Sequence, residues 1–455
     1  MLGRKNRWLV SASVALTVSI LILWTVVLAE PYWAYWDDPY FLAASMSGSP
    51  LTALWNIHGD RFGFVGADGL STVSLFPQYW AGIRFGAPSM YLFNAFFVLA
   101  ALATFALGIS RVKAFNGRLI PLAFLGGLLW PYTYEMFFFG LLQEKFLILL
   151  AALWFIWLGM SSRVRSTALF VSVIALLAIA STVSKPQFLI FLPALGLVLW
   201  LKPYDEARVR RIFASVFALA AMSVLTASAV VSDYVSGEAS AGNPLENLSS
   251  RPVILVLAIT VGLTGFTIMR GGFKVLSSRS AIPIYLALSM TLALVWQGAY
   301  QNYILAPYGA IAGALLATSI EQYLPGRSLL TITGLFGALV AVFAVYRLPQ
   351  VLEPMHDLGE FVTSVELENI RQEDVLLFVN CGQGSLVISY YSALEGLADS
   401  NTQTYVGRGQ WVDRVEPVAY VLSQSRICNE IPVPTGAPLV WKSSGKSPFE
   451  LRLIN

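Results

Sequence analysis

The sequence contains little charge and few residues of the types that bind metals or form disulfides. Only 12% of its 455 residues are charged, and it has two cysteines and two histidines. About a quarter of residues are charged in soluble proteins. It has no zinc-type Cys/His spacing, phosphate-binding glycine loop, serine nucleophile elbow, tandem repeat or low-complexity segment. The common chemistries of soluble enzymes and of ATP-driven pumps therefore lack support.

What the chain has in abundance is apolar sequence, with 56% hydrophobic residues. Apolar stretches recur at about the length of 20 residues that a helix needs to cross a hydrocarbon core of about 30 Å. We predict eleven transmembrane helices, at residues 8–29, 90–110, 119–134, 145–162, 167–184, 186–201, 212–232, 252–269, 280–300, 303–320 and 328–346. The sequence therefore indicates an all-α, polytopic membrane protein.

Basic residues predict the orientation, because Lys and Arg of short loops stay on the cytoplasmic side. One set of loops carries sixteen basic residues, and the opposite set carries five, namely Arg61, Arg84, Lys145, Lys185 and Arg251. We therefore expect a plasma (inner) membrane protein with a cytoplasmic N-terminus and an extracytoplasmic C-terminus. This orientation explains most of the basic residues, so the net charge of +3 does not indicate a nucleic-acid partner, and none is expected.

The first apolar stretch also allows a different interpretation. A cleaved signal peptide fits its basic start and small-residue end, although the apolar run exceeds the usual 7 to 15 residues of such peptides. Most acidic residues before residue 347 fall on the predicted outer side. Carboxylates contribute little to orientation, so their enrichment indicates that the chemistry is on the outer side.

The composition divides the chain into two domains, residues 1–346 and 347–455. The first is the transmembrane domain, and its first outer loop, 30–89, has alternating apolar and polar stretches that favour interfacial helices. The second is a small extracytosolic α/β domain. Its strand-like runs lie at residues 375–379, 386–391 and 418–422.

Both cysteines, Cys381 and Cys428, fall in this second domain. An oxidising outer compartment permits a disulfide between them, and two buried free thiols are the alternative.

Two adjacent carboxylates, Asp37 and Asp38, follow the first apolar stretch and precede Pro39. Adjacent carboxylates repel each other, so holding both at a membrane surface costs energy unless a proton, cation or substrate interacts with them. Pro39 suits the first turn of a helix with Asp38 as its N-cap. One aspartate is therefore a candidate for a structural role and the other for a catalytic role. A helix end that simply faces water is the alternative.

Glu144 lies at the predicted outer end of the fourth apolar stretch, with Glu135 as a substitute nearby. An acid at a helix N-terminus is stabilised by the helix dipole. The functional interpretation has Glu144 face the aspartate pair, where it binds the acceptor or shares an ion.

Four further residues are candidates on the same side. Lys185, Arg61 and Arg84 offer positive charge to a phosphate, and surface anchoring is the alternative for Lys185. His58 is either a participant or a structural histidine.

The tenth apolar stretch opens with polar and aromatic groups at residues 301–308. The amide and phenol groups of this segment, chiefly those of Gln301 and Tyr303, are suited to hydrogen-bonding sugar hydroxyls. Interfacial tyrosines are also common membrane anchors.

These motifs together resemble the GT-C superfamily of membrane glycosyltransferases, which take a sugar from a polyprenyl-phosphate carrier on the outer face. Residues 35–40 resemble the surroundings of the family's catalytic aspartate in a long first outer loop. Residues 142–146 resemble its second acidic motif, 184–186 its Lys-Pro element, and 303–307 the opening of a later helix. The family often has aspartate where this chain has Gln143-Glu144, and the C-terminal tail is short.

The resemblance implies transfer of a sugar from a polyprenyl-phosphate-linked donor to a glycan, lipid or protein acceptor, with inversion at the anomeric carbon. Asp37 or Asp38 is then expected to be the general base. Arg61, Lys185 or Arg84 is expected to stabilise the departing phosphate. No cofactor is certain, and a divalent cation between Asp37 and Glu144 stays outside the prediction.

Two other classes of function fit the same residues. A transporter of lipid-linked glycans or ions would use the outer acids as a gate, and a non-catalytic scaffold would keep only the fold. A transporter is expected to carry ionisable residues within its membrane spans, whereas here they gather at the span ends.

Overall fold

The computed structural model describes residues 4–31, 78, 81–138, 144–160, 164, 166–184, 191–201, 244–297, 305–321, 328–362, 364, 377–379, 404–406, 420–424, 433, 435–444 and 448–453. In these residues the protein is mostly helical, with a small sheet near the C-terminus. The predicted strand at 386–391 and both cysteines lie outside the described residues.

Twelve α-helices are described. They are α1 (Arg4–Leu28), α2 (Ala87–Arg111), α3 (Ile120–Leu128), α4 (Glu135–Phe138), α5 (Glu144–Met160), α6 (Thr167–Ser184), α7 (Leu192–Trp200), α8 (Pro244–Ser249), α9 (Arg251–Gly271), α10 (Ile282–Gln297), α11 (Ala306–Glu321) and α12 (Ser328–Val362). Short 3₁₀ helices cover Gly117–Leu119, Pro131–Tyr134, Phe273–Ser277 and Arg279–Ala281.

Four of these helices are long and apolar enough to cross a membrane: Trp8–Leu28, Ala87–Arg111, Arg251–Gly271 and Ser328–Phe361. Every predicted apolar stretch except 212–232 overlaps a described helix, and that stretch lies outside the described residues. The long apolar helices indicate a membrane protein.

Helix α12 is longer than a membrane requires. Its 35 residues correspond to about 52 Å at 1.5 Å per residue, against a hydrocarbon core of about 30 Å. Residues 328–346 contain no charged side chain, whereas 347–362 contain Arg347, Glu353, Asp357 and Glu360. The uncharged part is long and apolar enough to cross a membrane, and the charged part, which we call the α12 tail, continues beyond it. The predicted domain boundary at 347 therefore falls inside a continuous helix.

Glycines allow α3 and α11 to cross at close range. A Cβ atom placed on Gly313 would lie 2.6 Å from the backbone nitrogen of Gly127, and one on Gly309 would lie 2.9 Å from the Gly127 carbonyl oxygen. Small residues drive association in lipid because they let helix backbones pack closely. Gly309 and Gly313 form a GxxxG pattern on α11 for this reason.

The helices α2 and α5 run parallel and pack in a similar way. A Cβ atom on Gly108 of α2 would lie 2.8 Å from the Ala152 carbonyl oxygen, and one on Gly159 of α5 would lie 2.9 Å from the backbone of Arg111. Gly337 of α12 packs against Val14 of α1, so these two helices also run side by side.

Hydroxyl groups join α9, α10 and α11 in the interior. The Thr260 hydroxyl lies 2.8 Å from Tyr308 Oη and 3.1 Å from Thr291 Oγ1, and the Tyr308 hydroxyl donates to the Val256 carbonyl at 3.1 Å. Hydrogen bonds of this kind hold helices together where water is absent.

The C-terminal sheet contains five strands in the order β2-β1-β3-β5-β4. They are β1 (Leu377–Val379), β2 (Thr404–Val406), β3 (Tyr420–Gln424), β4 (Leu439–Lys442) and β5 (Phe449–Leu453). β1 is parallel to β2 and β3, whereas β5 is antiparallel to β3 and β4. The strands predicted at 375–379 and 418–422 overlap β1 and β3.

The sheet packs against the α12 tail. The rings of Phe361 and Trp441 lie 5.2 Å apart, centroid to centroid, and Leu422, Phe449 and Leu451 are buried in the same core. This contact places the sheet next to the end of the helical bundle.

Candidate functional site

One end of the bundle brings together the helix ends that adjoin the first outer loop. The amide of Asn94, near the start of α2, donates to the carbonyls of Met136 (2.9 Å) and Phe137 (3.1 Å) in α4. The Asn94 side-chain oxygen accepts a hydrogen bond from Lys145, near the start of α5. We call this the loop end of the bundle, defined by the last turn of α1 and the first turns of α2 and α5.

Two further helices have an end in this region. The indole of Trp130, which follows α3, donates to the carbonyl of Leu305 at the start of α11, at 2.7 Å. The indole of Trp154 in α5 donates to the Ser181 hydroxyl in α6 at 3.0 Å. The rings of Trp157 and Phe170 stack at 5.9 Å between centroids. The later residue of α5 thus contacts the earlier residue of α6, so these two helices are antiparallel. Helix α6 therefore ends towards the loop end, where α11 begins.

Most of the predicted site residues lie outside the described residues, namely Asp37, Asp38, His58, Arg61, Lys185, Gln301 and Tyr303. Glu144 is the first residue of α5, one position before the predicted start of that helix. Arg84 lies in the helical segment 81–85 just before α2, and its side chain is exposed. These two residues are both at the loop end.

Lys145 is the most unusual residue there, because its side chain is only 1% exposed. Its ammonium group donates to the side-chain oxygens of Asn94 and of Gln78, the latter at 3.5 Å. It also lies 6.0 Å from the centroid of the Phe97 ring. Burying a charged group costs several kcal/mol before its partners compensate. A lysine held in this way is a candidate for function.

Gln78 joins the first outer loop to this cluster. Its side chain is 0% exposed, and its amide nitrogen has no hydrogen-bond acceptor among the described residues. Its oxygen faces the Lys145 ammonium. The amide of Gln78 therefore presents unused N–H donors in a buried position next to a cation.

His356 of the α12 tail holds the start of the same loop. Its Nδ1 atom lies 3.2 Å from the Glu30 carbonyl oxygen, and its Nε2 atom lies 3.5 Å from Glu360 Oε1. An imidazole between two acceptors donates to both only when both ring nitrogens are protonated. Glu360 in turn accepts hydrogen bonds from the Ser444 backbone (3.0 Å) and hydroxyl (2.7 Å). His356 and Glu360 thus connect the loop start to the C-terminal sheet.

Burial alone raises the pKa of Glu360, but the two hydrogen bonds from Ser444 and the neighbouring His356 outweigh it. The pKa of Glu360 therefore lies below its ordinary value, and the carboxylate keeps its charge as the pH falls.

Asp357, on the same helical tail, is a buried acid, with a side chain that is 0% exposed. Burial raises its pKa to about 6; the Ser443 hydroxyl opposes the rise, while the charges of Glu353 and Glu360 add to it. Neither of its carboxylate oxygens has a hydrogen bond of ordinary geometry among the described residues. Asp357 is therefore partly protonated near pH 6.

Glu135, the predicted substitute for Glu144, has a structural partner. Its carboxylate lies 3.1 Å from the guanidinium of Arg347, and both side chains are mostly buried. This ion pair joins α4 to the α12 tail. Tyr308, in the segment predicted to contact sugar, is also used in packing, because its hydroxyl lies inside the bundle against Thr260.

The described residues contain no group of three or more His, Cys, Asp or Glu side chains that is arranged to hold a metal ion. The pair Asp37 and Glu144, considered for a divalent cation, falls outside this finding, because Asp37 is not among the described residues.

Sequence reasoning missed Lys145, Gln78 and Asp357 as site residues. Lys145 adjoins Glu144 in a predicted motif, but from the sequence it was considered only as one of the five basic residues on the outer side. A spacing signal existed for Asp357, because Glu353, His356, Asp357 and Glu360 recur at the i, i+3, i+4, i+7 positions of one helix face.

No protein-family model matches this chain, and no curated protein matches it either.

Proposed function

We propose that this protein is a membrane glycosyltransferase of the GT-C type. It transfers a sugar from a polyprenyl-phosphate donor to a glycan, lipid or protein acceptor at the extracytoplasmic face. The observation that carries the proposal is the meeting of the ends of α1, α5, α6 and α11 at or towards one end of the bundle. Each of these helix ends adjoins one of the four motifs that resemble the family.

The proposed topology has eleven crossings, with the loop end outside. Helix directions support it: α1 and α12, the first and last crossings, are parallel, as two odd-numbered crossings must be. Helices α9 and α11 are also parallel, because Thr260 contacts Tyr308 and Thr267 contacts Ser319.

The same directions support a crossing at 212–232. Helix α6 ends towards the loop end and α9 begins there, so an even number of crossings must separate them. In the proposed topology these two crossings are the predicted stretches 186–201, which contains α7, and 212–232, which lies outside the described residues. Since α12 leaves the bundle at the loop end, the C-terminal domain then lies outside the membrane.

The proposed mechanism follows from the substrate's chemistry. A sugar linked to a lipid phosphate has a leaving group already in place, so the enzyme must deprotonate the acceptor hydroxyl and stabilise the departing phosphate. Asp37 or Asp38 acts as general base. Cationic side chains at the loop end stabilise the charge that develops on the phosphate. Direct attack on the anomeric carbon inverts its configuration.

The test compares Asp37→Asn, Asp38→Asn and Asp68→Asn in the purified full-length protein. Asp68 is a carboxylate of the same loop that no motif includes, so it serves as the matched control. Sugar transfer from a synthetic polyprenyl-phosphate donor is measured in detergent. Loss of the general base is expected to reduce the rate by about 10² to 10⁴ in one of the first two variants. Asp68→Asn is expected to keep the wild-type rate.

The outcome separates the classes of function. Transfer by the wild type that both Asp37→Asn and Asp38→Asn retain in full would contradict the proposed base. A wild type that moves lipid-linked glycans or ions across vesicles without any sugar transfer would indicate a transporter instead.

A further inference from the structure

We propose that the N-terminus of α5, together with Lys145 and Gln78, forms a buried anion site that binds the phosphate group of the lipid-linked donor. This inference rests on the proposed function, whose sequence-based phosphate ligands were Arg61, Arg84 and Lys185. The structure adds a different cation, one that is buried and fixed in position.

The hydrogen bonds of the cluster leave one donor group, the Gln78 amide, without an acceptor among the described residues. Both amide hydrogens of Asn94 are used by carbonyls of α4, so Asn94 is fixed with its oxygen towards Lys145. The Gln78 oxygen also faces Lys145, which leaves the Gln78 N–H₂ group directed elsewhere within the buried cluster. That group has no acceptor among the described residues. A buried donor without an acceptor is destabilising, and an incoming acceptor removes this cost.

The electrostatic potential at the N-terminus of α5 is positive. Helix α5 has 17 residues, and its first N–H groups carry a partial positive charge of about +0.5. The Lys145 ammonium lies at this same helix terminus and is shielded from water. Charges in such a position are screened less than at the surface, so the cluster attracts an anion.

The groups of the cluster determine which kind of ligand it can bind. Unused N–H donors beside a cation favour an anionic oxygen acceptor and disfavour a metal ion. A phosphate has several such oxygens and suits a lysine ammonium. In the same turns of α2 that carry Asn94, the side chains of Phe93 and Phe96 are exposed. A prenyl chain attached to the phosphate therefore has an apolar surface next to the polar site.

The site is also connected to the first outer loop, which carries the proposed general base. Gln78 lies at the end of the loop that carries Asp37 and Asp38, and the Glu30 carbonyl at the loop's start contacts His356. A phosphate that completes the hydrogen bonds of Gln78 fixes the end of this loop when the donor binds.

The experiment measures binding of a short-chain polyprenyl monophosphate to the full-length protein in detergent, without any sugar transfer. The variants are Lys145→Met, which removes the charge at similar length, Gln78→Leu, which removes the amide, and Lys145→Arg, which keeps the charge. Lys274→Met removes an exposed cation from a 3₁₀ helix outside the cluster and is the control. The corresponding prenyl alcohol tests the contribution of the tail, and inorganic phosphate tests the contribution of the free anion.

We expect Lys145→Met to weaken the affinity for the lipid phosphate by about tenfold or more, since hydrogen bonds to charged groups contribute about 1.5 to 3 kcal/mol. Gln78→Leu is expected to weaken it less, and Lys145→Arg to retain most of it. Lys274→Met should bind as the wild type does. The alcohol should bind all variants alike, and inorganic phosphate should compete only weakly because it lacks the tail.

Unchanged affinity of a folded Lys145→Met protein would overturn the inference. If that variant does not fold, Gln78→Glu answers the same question, because it places an anion beside Lys145 at almost unchanged volume. Wild-type affinity in Gln78→Glu would equally overturn the site. Sugar transfer with an unchanged KM for donor in Lys145→Met refutes this site and leaves the proposed function standing. A wild type that binds the lipid phosphate through this site but transfers no sugar refutes the proposed function and leaves the site standing.

Discussion

The crossing of α3 and α11 and the loop end of the bundle are both buried, yet they are built from opposite kinds of residue. At the crossing, four glycines, which have no side chains, allow the backbones of α3 and α11 to lie in contact. At the loop end, Lys145 and Gln78 place a cation and an amide where water does not reach. The first arrangement gives stability in lipid, where close packing replaces the hydrophobic effect between helices. The second costs stability, so it indicates function.

The buried charges at and beyond the loop end differ from each other as well. Lys145 faces the side-chain oxygens of Gln78 and Asn94. Burial raises the pKa of Asp357 and so favours its protonated form, and the charges of Glu353 and Glu360 add to this. We therefore expect Asp357 to respond to pH.

The largest effect on stability is expected from Gly313→Ala at the glycine crossing. The new methyl group meets the backbone of α3, which has no rotamer to move away, so we expect a loss of about 1 to 3 kcal/mol or more. Thermal unfolding in detergent measures it. Gly262→Ala is the matched control, because a Cβ atom there meets nothing within 4 Å. Equal melting temperatures for the two variants would show that the crossing is not tightly packed.

A smaller, pH-dependent effect is expected from Asp357→Asn at the contact between the α12 tail and the sheet. Because burial raises the pKa of Asp357 from 3.8 to about 6, its contribution to the packed state is complete below about pH 4 and is lost as the pH rises through 6. The buried Asp357 carboxyl becomes charged as the pH rises, whereas asparagine stays uncharged, so the variant should be more stable than wild type at pH 8 by about 1 to 3 kcal/mol. The two should be nearly equal at pH 4.5.

Hydrogen exchange of residues 439–453 between pH 4.5 and 8 measures this effect. The lowered pKa of Glu360 acts in the opposite direction, because its hydrogen bonds to Ser444 are lost only as the pH falls through that value. Protection against exchange, corrected for the intrinsic pH dependence of amide exchange, should therefore be greatest in a mildly acidic window. The same pH profile in wild type and Asp357→Asn would show that another group is responsible.

The smallest effect is expected from Tyr308→Phe, which removes one hydroxyl from the bond network of α9, α10 and α11. Thr260 keeps its contact with Thr291, so we expect a loss of about 0.6 to 1.7 kcal/mol. Tyr346→Phe on the exposed face of α12 is the control and should change stability by less than about 0.5 kcal/mol. A larger effect of the control would argue against the interior network.

The helices could be predicted from the sequence because a long apolar run has few alternatives in a chain this hydrophobic. Beyond residue 346 charged residues enter, and the continuation of α12 to Val362 was not predicted, because composition there does not distinguish a helical tail from a soluble domain. Strands β2, β4 and β5 were not predicted either, because they are three to five residues long and give too short a pattern.

The site was only partly predictable for a related reason. The apolar pattern placed Glu144 at the end of the predicted helix 145–162, one position from the observed start of α5, but burial of Lys145 depends on Asn94 and Gln78, which are distant in sequence. Such long-range partners leave no local pattern. The roles of Asp37, Asp38 and Lys185 stay predictions from the motifs.

The most direct test of the account is a structure of the full-length protein with a polyprenyl-phosphate sugar bound. We predict that the phosphate lies at the loop end, within hydrogen-bond distance of Lys145 and Gln78, with Asp37 or Asp38 near the anomeric carbon. A donor bound at the opposite end of the bundle, where the Asn116 backbone contacts Glu321, would contradict the account.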